Sequence, residues 1–144
     1  MSKILWTLPF PSSSGNTTFA VLPKRDAAVI AEGDDERGTI TLRIIFEKVE
    51  AYKCTHYMAR APEMRIAYDK IVDLGETSWL TEVKNQLRKL GDLVLSSPSH
   101  GPLEELAHLM INFDDGPCYE FICRHFRVEQ IPNDPERWIS KATT

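Results

Sequence analysis

The clearest pattern in the chain is the alternation over residues 39–46 (TITLRIIF). Ile40, Leu42, Ile44 and Phe46 fall two apart and share one face of a strand, while Thr39, Thr41 and Arg43 share the other. After Glu47 and Lys48 the apolar parity shifts to Val49 and Ala51. That shift predicts a bulge or tight turn before a continuation through Tyr52 to Tyr57. Upstream, residues 18–22 and 27–31 are two β-prone runs separated by Pro23, Lys24, Arg25 and Asp26, the pattern of a hairpin. The acidic run 32–36 interrupts the apolar pattern and reads as a solvated loop without the spacing of a calcium loop. Later, residues 109–113, the turn Asp114-Asp115-Gly116-Pro117 and residues 119–128 read as strand, turn, strand.

Between these β-rich stretches the period changes. From Pro62 onward, Met64, Ala67, Tyr68 and Ile71 lie at helical spacing, which predicts a short helix ending near Gly75. A second helix is expected over 79–90, capped by Ser78, with Leu80, Val83, Leu87 and Leu90 on its buried face and Gly91 as its stop. The expected fold is therefore α+β: an antiparallel sheet of about five or six strands, curling toward a sandwich, with two helices from the middle of the chain against one face.

Length and composition bound this picture. A chain of 144 residues is long enough to bury a core, and residues 1–144 are read as a single domain. Residues 1–17, containing PFPSSSGNT, read as a flexible lead-in. Residues 132–144 read as a surface tail with Trp138 as an anchor, and the short stretch 96–102 is no interdomain linker. The net charge of −4 argues against nucleic acid and against an anionic membrane surface. No run approaches the roughly 20 apolar residues of a membrane helix. Pro9 and Pro11 cut the N-terminal apolar stretch short of a signal peptide, so a cytoplasmic location is expected. Three cysteines without CxxC spacing are expected to stay reduced.

Dinucleotide, P-loop, zinc-protease and hydrolase signatures are absent. One arrangement stands out instead: Cys54-Thr55-His56 and Cys123-Arg124-His125 both read C-x-H. In a strand, each pair would present a thiol and an imidazole on one face. Two such strands side by side would bring Cys54, His56, Cys123 and His125 into a Cys₂His₂ set that suits zinc. The same pairs could instead serve a thiol nucleophile activated by imidazole, although no orienting group can be named for it. The blander reading makes the cysteines small buried hydrophobes and the histidines strand-edge residues. Tyr52, Tyr57, Tyr68, Trp79, Tyr119 and Phe121 serve either core or interface, Asp114 and Asp115 read as turn residues, and Lys84, Arg88 and Lys89 as a solvated helix face.

Residues 40–55 (ITLRIIFEKVEAYKCT) and 108–128 (HLMINFDDGPCYEFICRHFRV) resemble small uncharacterised bacterial proteins, some of them toxin-immunity proteins. The resemblance implies a fold type, and it implies action by contact, with an acidic or aromatic surface covering a toxin's active site. It transfers no catalytic residue. The function expected from the sequence is a small non-enzymatic protein-binding module. The alternatives are a metal- or thiol-dependent protein built on the C-x-H pairs and a small-ligand binder. Edge strands of the expected sheet also leave room for a homodimer.

Overall fold

The computed structural model describes residues 2–12, 16–35, 38–94, 102–114 and 116–131. Among them, antiparallel strands form two sheets. The five-stranded sheet runs in the order β1-β6-β7-β8-β5 and the four-stranded sheet in the order β2-β3-β4-β9. The strands are β1 (Lys3–Thr7), β2 (Asn16–Leu22), β3 (Asp26–Asp35), β4 (Gly38–Glu47), β5 (Ala51–Thr55), β6 (Lys70–Asp73), β7 (Ala107–Asn112), β8 (Cys118–Cys123) and β9 (His125–Ile131). One α-helix, α1 (Ser78–Val94), lies between β6 and β7 in sequence. No helix among the described residues is long and apolar enough to cross a membrane.

The facing sides of the sheets make the main core. Val29 from β3, Ile44 and Phe46 from β4, Ile111 from β7 and Phe121 from β8 are all fully buried in it. Phe46 and Phe121 stack across the two sheets, with ring centroids 4.0 Å apart and planes 15° from parallel. The other face of the five-stranded sheet is covered as well. Leu80, Val83 and Leu87 of α1 pack with Ile122, and the 3₁₀ turn Pro62–Ala67 packs with Val72, Met110 and Cys118. All six residues of β8 are therefore buried.

The parity shift after Glu47 is a real corner. Glu47 pairs with His125 and Ala51 pairs with Ile122, so β4–β5 carries one residue more than β8–β9 across the same gap. Lys48 absorbs the extra residue with φ 56, and the corner is closed by Glu50 N–H to Ile122 O and Arg124 N–H to Glu47 O, at 2.8 and 3.1 Å. Through this bulge both long strands leave one sheet and enter the other. The run expected as one strand over 119–128 is thus two, β8 and β9, bent at Arg124.

The structure corrects several expectations. There are two sheets, of five and four strands, in place of one sheet of five or six. There is one α-helix, not two: the segment after Pro62 forms only 3₁₀ turns and then β6, because Ala67, Ile71 and Val72 are drawn into packing against the sheets. Helix α1 is capped by Thr77, whose hydroxyl accepts the Leu80 N–H at 3.2 Å, and it continues past Gly91. The N-terminal segment is also built into the fold. β1 pairs with β6, and Leu8 and Phe10 are buried in the core. Phe10 lies so close over Gly33 that a Cβ there would sit 2.2 Å from the ring, and the acidic run continues as strand β3 to Asp35, paired with β4. Glu36, Asp115 and the tail beyond Ile131 lie outside the described residues, as do 96–101.

Candidate functional site

The two C-x-H pairs are placed apart. Cys54 is exposed on β5, which ends its sheet, and pairs with Tyr119. Cys123 is fully buried in the main core, four residues further along β8, a separation of about 13 Å at strand rise. His56 is exposed beyond the end of β5, while His125 belongs to the other sheet and lies 3.9 Å from Glu105 Oε2. Among the described residues, no three His, Cys, Asp or Glu side chains converge as a metal site. Burial pushes the Cys54 thiol above its ordinary pKa, the direction opposite to an activated nucleophile. It pushes Cys118 and Cys123 up to about 12, helped in Cys118 by Glu120 and in Cys123 by Asp73.

A different polar chain sits beneath α1. His108 and Glu120 are both buried, and His108 Nε2 lies 2.8 Å from Glu120 Oε1. His108 Nδ1 lies 2.7 Å from the Thr77 hydroxyl. A carboxylate at Glu120 only accepts, so Nε2 carries the proton donated to it, and Nδ1 of the neutral ring accepts from the Thr77 hydroxyl, whose oxygen also accepts the Leu80 N–H. This hydroxyl–imidazole–carboxylate order is that of a nucleophilic triad. Its surroundings fit a brace instead: Thr77 caps α1, the Trp79 ring packs edge-on against His108 at 5.0 Å, and neither of the clefts described below is lined by any of the three.

The feature best suited to contact another molecule is a cleft of about 290 Å³ lined by Met58, Arg60, Pro62, Met64, Arg65, Tyr68 and neighbouring residues. Asn112, at the end of β7 and 2% exposed, fixes its floor. Its amide donates to Met64 O, its Oδ1 accepts from Arg60 Nη1 at 3.4 Å, and its backbone carbonyl accepts the Asp69 N–H at 2.8 Å. Arg60 Nη1 also donates to Phe113 O at 2.8 Å. These bonds hold an irregular segment firmly to a strand end. Asp69 then turns the chain into β6 with φ 55.

The lining of the cleft mixes the apolar Met58, Pro62 and Met64 with Arg60, Arg65 and Tyr68. Met58 is 91% exposed, Tyr68 is exposed on the same lining, and Ile66 in the same segment is exposed as well. Arg65 is exposed and makes no ion pair among the described residues. The Tyr68 phenol has its pKa raised by burial, with Asp69 and Asp114 adding to the rise; its hydrogen bond with Ser12 and the Arg60 charge oppose it. Of these residues only Tyr68 reads in the sequence as a core or interface aromatic. The further signal is two methionines and two arginines within residues 58–65, of which helical spacing from Pro62 onward takes up only Met64. Tyr119, Phe121 and Trp79 pack inside, Tyr52 is exposed on β5, and Lys84 turns inward to pair with Glu76 at 2.8 Å.

No protein-family model matches the chain, and neither a curated protein nor a solved structure matches it. The likeness of residues 40–55 and 108–128 to immunity proteins therefore gains no support from these comparisons.

Proposed function

We propose that the protein is a binding module that engages a partner protein through the face built by residues 58–68. The observation that carries this reading is exposed Met58 and Tyr68 lining a concave surface, with Ile66 also exposed in the same segment, which Asn112 clamps to β7. Contiguous exposed apolar side chains around a depression are the mark of an interaction site, and methionine adapts its shape to a partner. Arg65 adds a guanidinium placed to receive a carboxylate. The fitting partner offers an apolar side chain to the methionines and an acidic group to Arg65. Blocking of a toxin, as immunity proteins do, is the special case in which that partner is an enzyme.

The test compares baits. Wild-type chain, a Met58→Asp/Ile66→Asp double variant and an Arg65→Glu variant are immobilised in equal, folded amounts and exposed to lysate of the native host. A polypeptide enriched on the wild type and lost from both variants is the expected result. Equal capture by all three overturns the reading.

A further inference from the structure

We propose that β2 is a self-association edge, through which two copies of the chain join antiparallel over Asn16–Leu22 into one continuous sheet. β2 ends its sheet and pairs with β3 alone among the described residues. Its sequence, NTTFAVL, contains no charged residue and no proline. Edge strands are ordinarily defended by exactly those residues, and the other sheet-end strands follow the rule: β1 carries Lys3, β5 carries Lys53, and β9 carries Arg127 and Glu129. β2 is the undefended one.

The surroundings of β2 also suit an added strand. Val21 is 62% exposed, and Tyr52 on the end strand of the opposite sheet is 49% exposed, its ring 5.2 Å from that of Phe19. Between them opens a cleft of about 300 Å³ lined by Val21, Ala27, Val49, Ala51 and Tyr52, bounded by the Arg25–Glu50 ion pair. A strand edge beside an apolar pocket is the geometry of strand addition, in which main-chain hydrogen bonds hold the incoming segment and the pocket takes side chains.

A second copy meets the requirement without any other component. With the two strands centred on Phe19, Val21 faces Thr17 of the other copy and Thr18 faces Ala20, so no charge opposes a like charge. The same centring on β5 would set Lys53 against Lys53. The interface is two-fold and closed, which limits assembly to a dimer of sheets in the order β9-β4-β3-β2-β2-β3-β4-β9. This inference concerns a surface separate from the cleft of residues 58–68 and does not rest on it.

Sedimentation velocity of the full chain, from micromolar to near-millimolar concentration, tests it. The expected result is a species of twice the 16.4 kDa chain mass that grows with concentration. Val21→Lys and Thr18→Lys, each on an exposed position of β2, return the mass to that of one chain, while Ile4→Lys on β1 leaves the dimer intact. If Val21→Lys fails to fold, Thr18→Lys decides. A wild type that stays monomeric throughout, or a dimer that neither β2 lysine disturbs, overturns the proposal.

Discussion

His108 is a buried imidazole with a partner on each nitrogen, and this satisfaction is what allows a polar chain to lie between helix and sheet. Removing one partner strands another. Glu120→Ala leaves Nε2–H buried without an acceptor and is expected to cost about 1–3 kcal/mol in urea unfolding, whereas Glu120→Gln retains an acceptor and costs less. Thr77→Val removes the cap and the hydroxyl together and should cost at least as much as an ordinary lost cap, about 1 kcal/mol, with Thr77→Ser close to wild type. Should the Thr77→Ser and Thr77→Val midpoints coincide, the brace is misassigned.

The thiols give a second prediction at this scale. Cys118 and Cys123 have folded pKa values of about 12, above the ordinary thiol value of about 8.5. The folded state therefore holds its thiol protons where the unfolded state releases them. Stability is fully present below the unfolded thiol pKa and falls as pH rises from there toward about 12. Replacing both by alanine should lower stability at neutral pH and flatten that alkaline decline. In native protein a thiol reagent should modify exposed Cys54 quickly and the other two only on unfolding; equal rates for all three would refute the placement.

Among the elements, the corner between the sheets carries most of the topology. Lys48 occupies the left-handed region, where a β-branched side chain is strained. Lys48→Val should destabilise by about 1–2 kcal/mol and Lys48→Gly should not, as read by thermal or urea midpoints. This corner was legible in the sequence because the parity of Ile40–Phe46 and that of Val49–Ala51 disagree by one residue, and only a bulge reconciles them. Residues 40–55 and 108–128 supply the strands that meet here, β4–β5 and β7–β8–β9.

Other elements were not legible, for physical reasons that differ. Met64, Ala67, Tyr68 and Ile71 have helical spacing, yet Ala67 and Ile71 are claimed by separate core clusters, which a single helix could not serve. Glu32, Asp34 and Asp35 look like a loop by polarity, but they extend a hairpin whose Gly33 is covered by Phe10. The N-terminal segment looks like a flexible lead-in for the same reason, since the glycine against which Phe10 packs is more than twenty residues away. The His108–Glu120 contact depends on register: His108 pairs with Ile122 and Glu120 with Met110, so the two are diagonal neighbours on one face. No local motif encodes that diagonal.

At the scale of the whole molecule, both faces of the five-stranded sheet are covered and the core between the sheets is filled. Ile4 and Leu90 are exposed singly, whereas two surfaces set exposed apolar side chains beside a cleft: the face of residues 58–68, and the seam at β2. The first surface is built on the 3₁₀ turns between β5 and β6 and the second on β2, and they give different readouts, a heterologous partner at the first and chain mass at the second. The central claim is that the first is where the protein works. Its most direct test is photo-crosslinking in the native host, with a photoreactive phenylalanine derivative replacing Met58 in one strain and Ile4, exposed on β1, in another. The account predicts a discrete crosslinked partner from position 58 that is absent from position 4 and is suppressed by Arg65→Glu. The same crosslinks from both positions, or none from position 58 in folded protein, would contradict it.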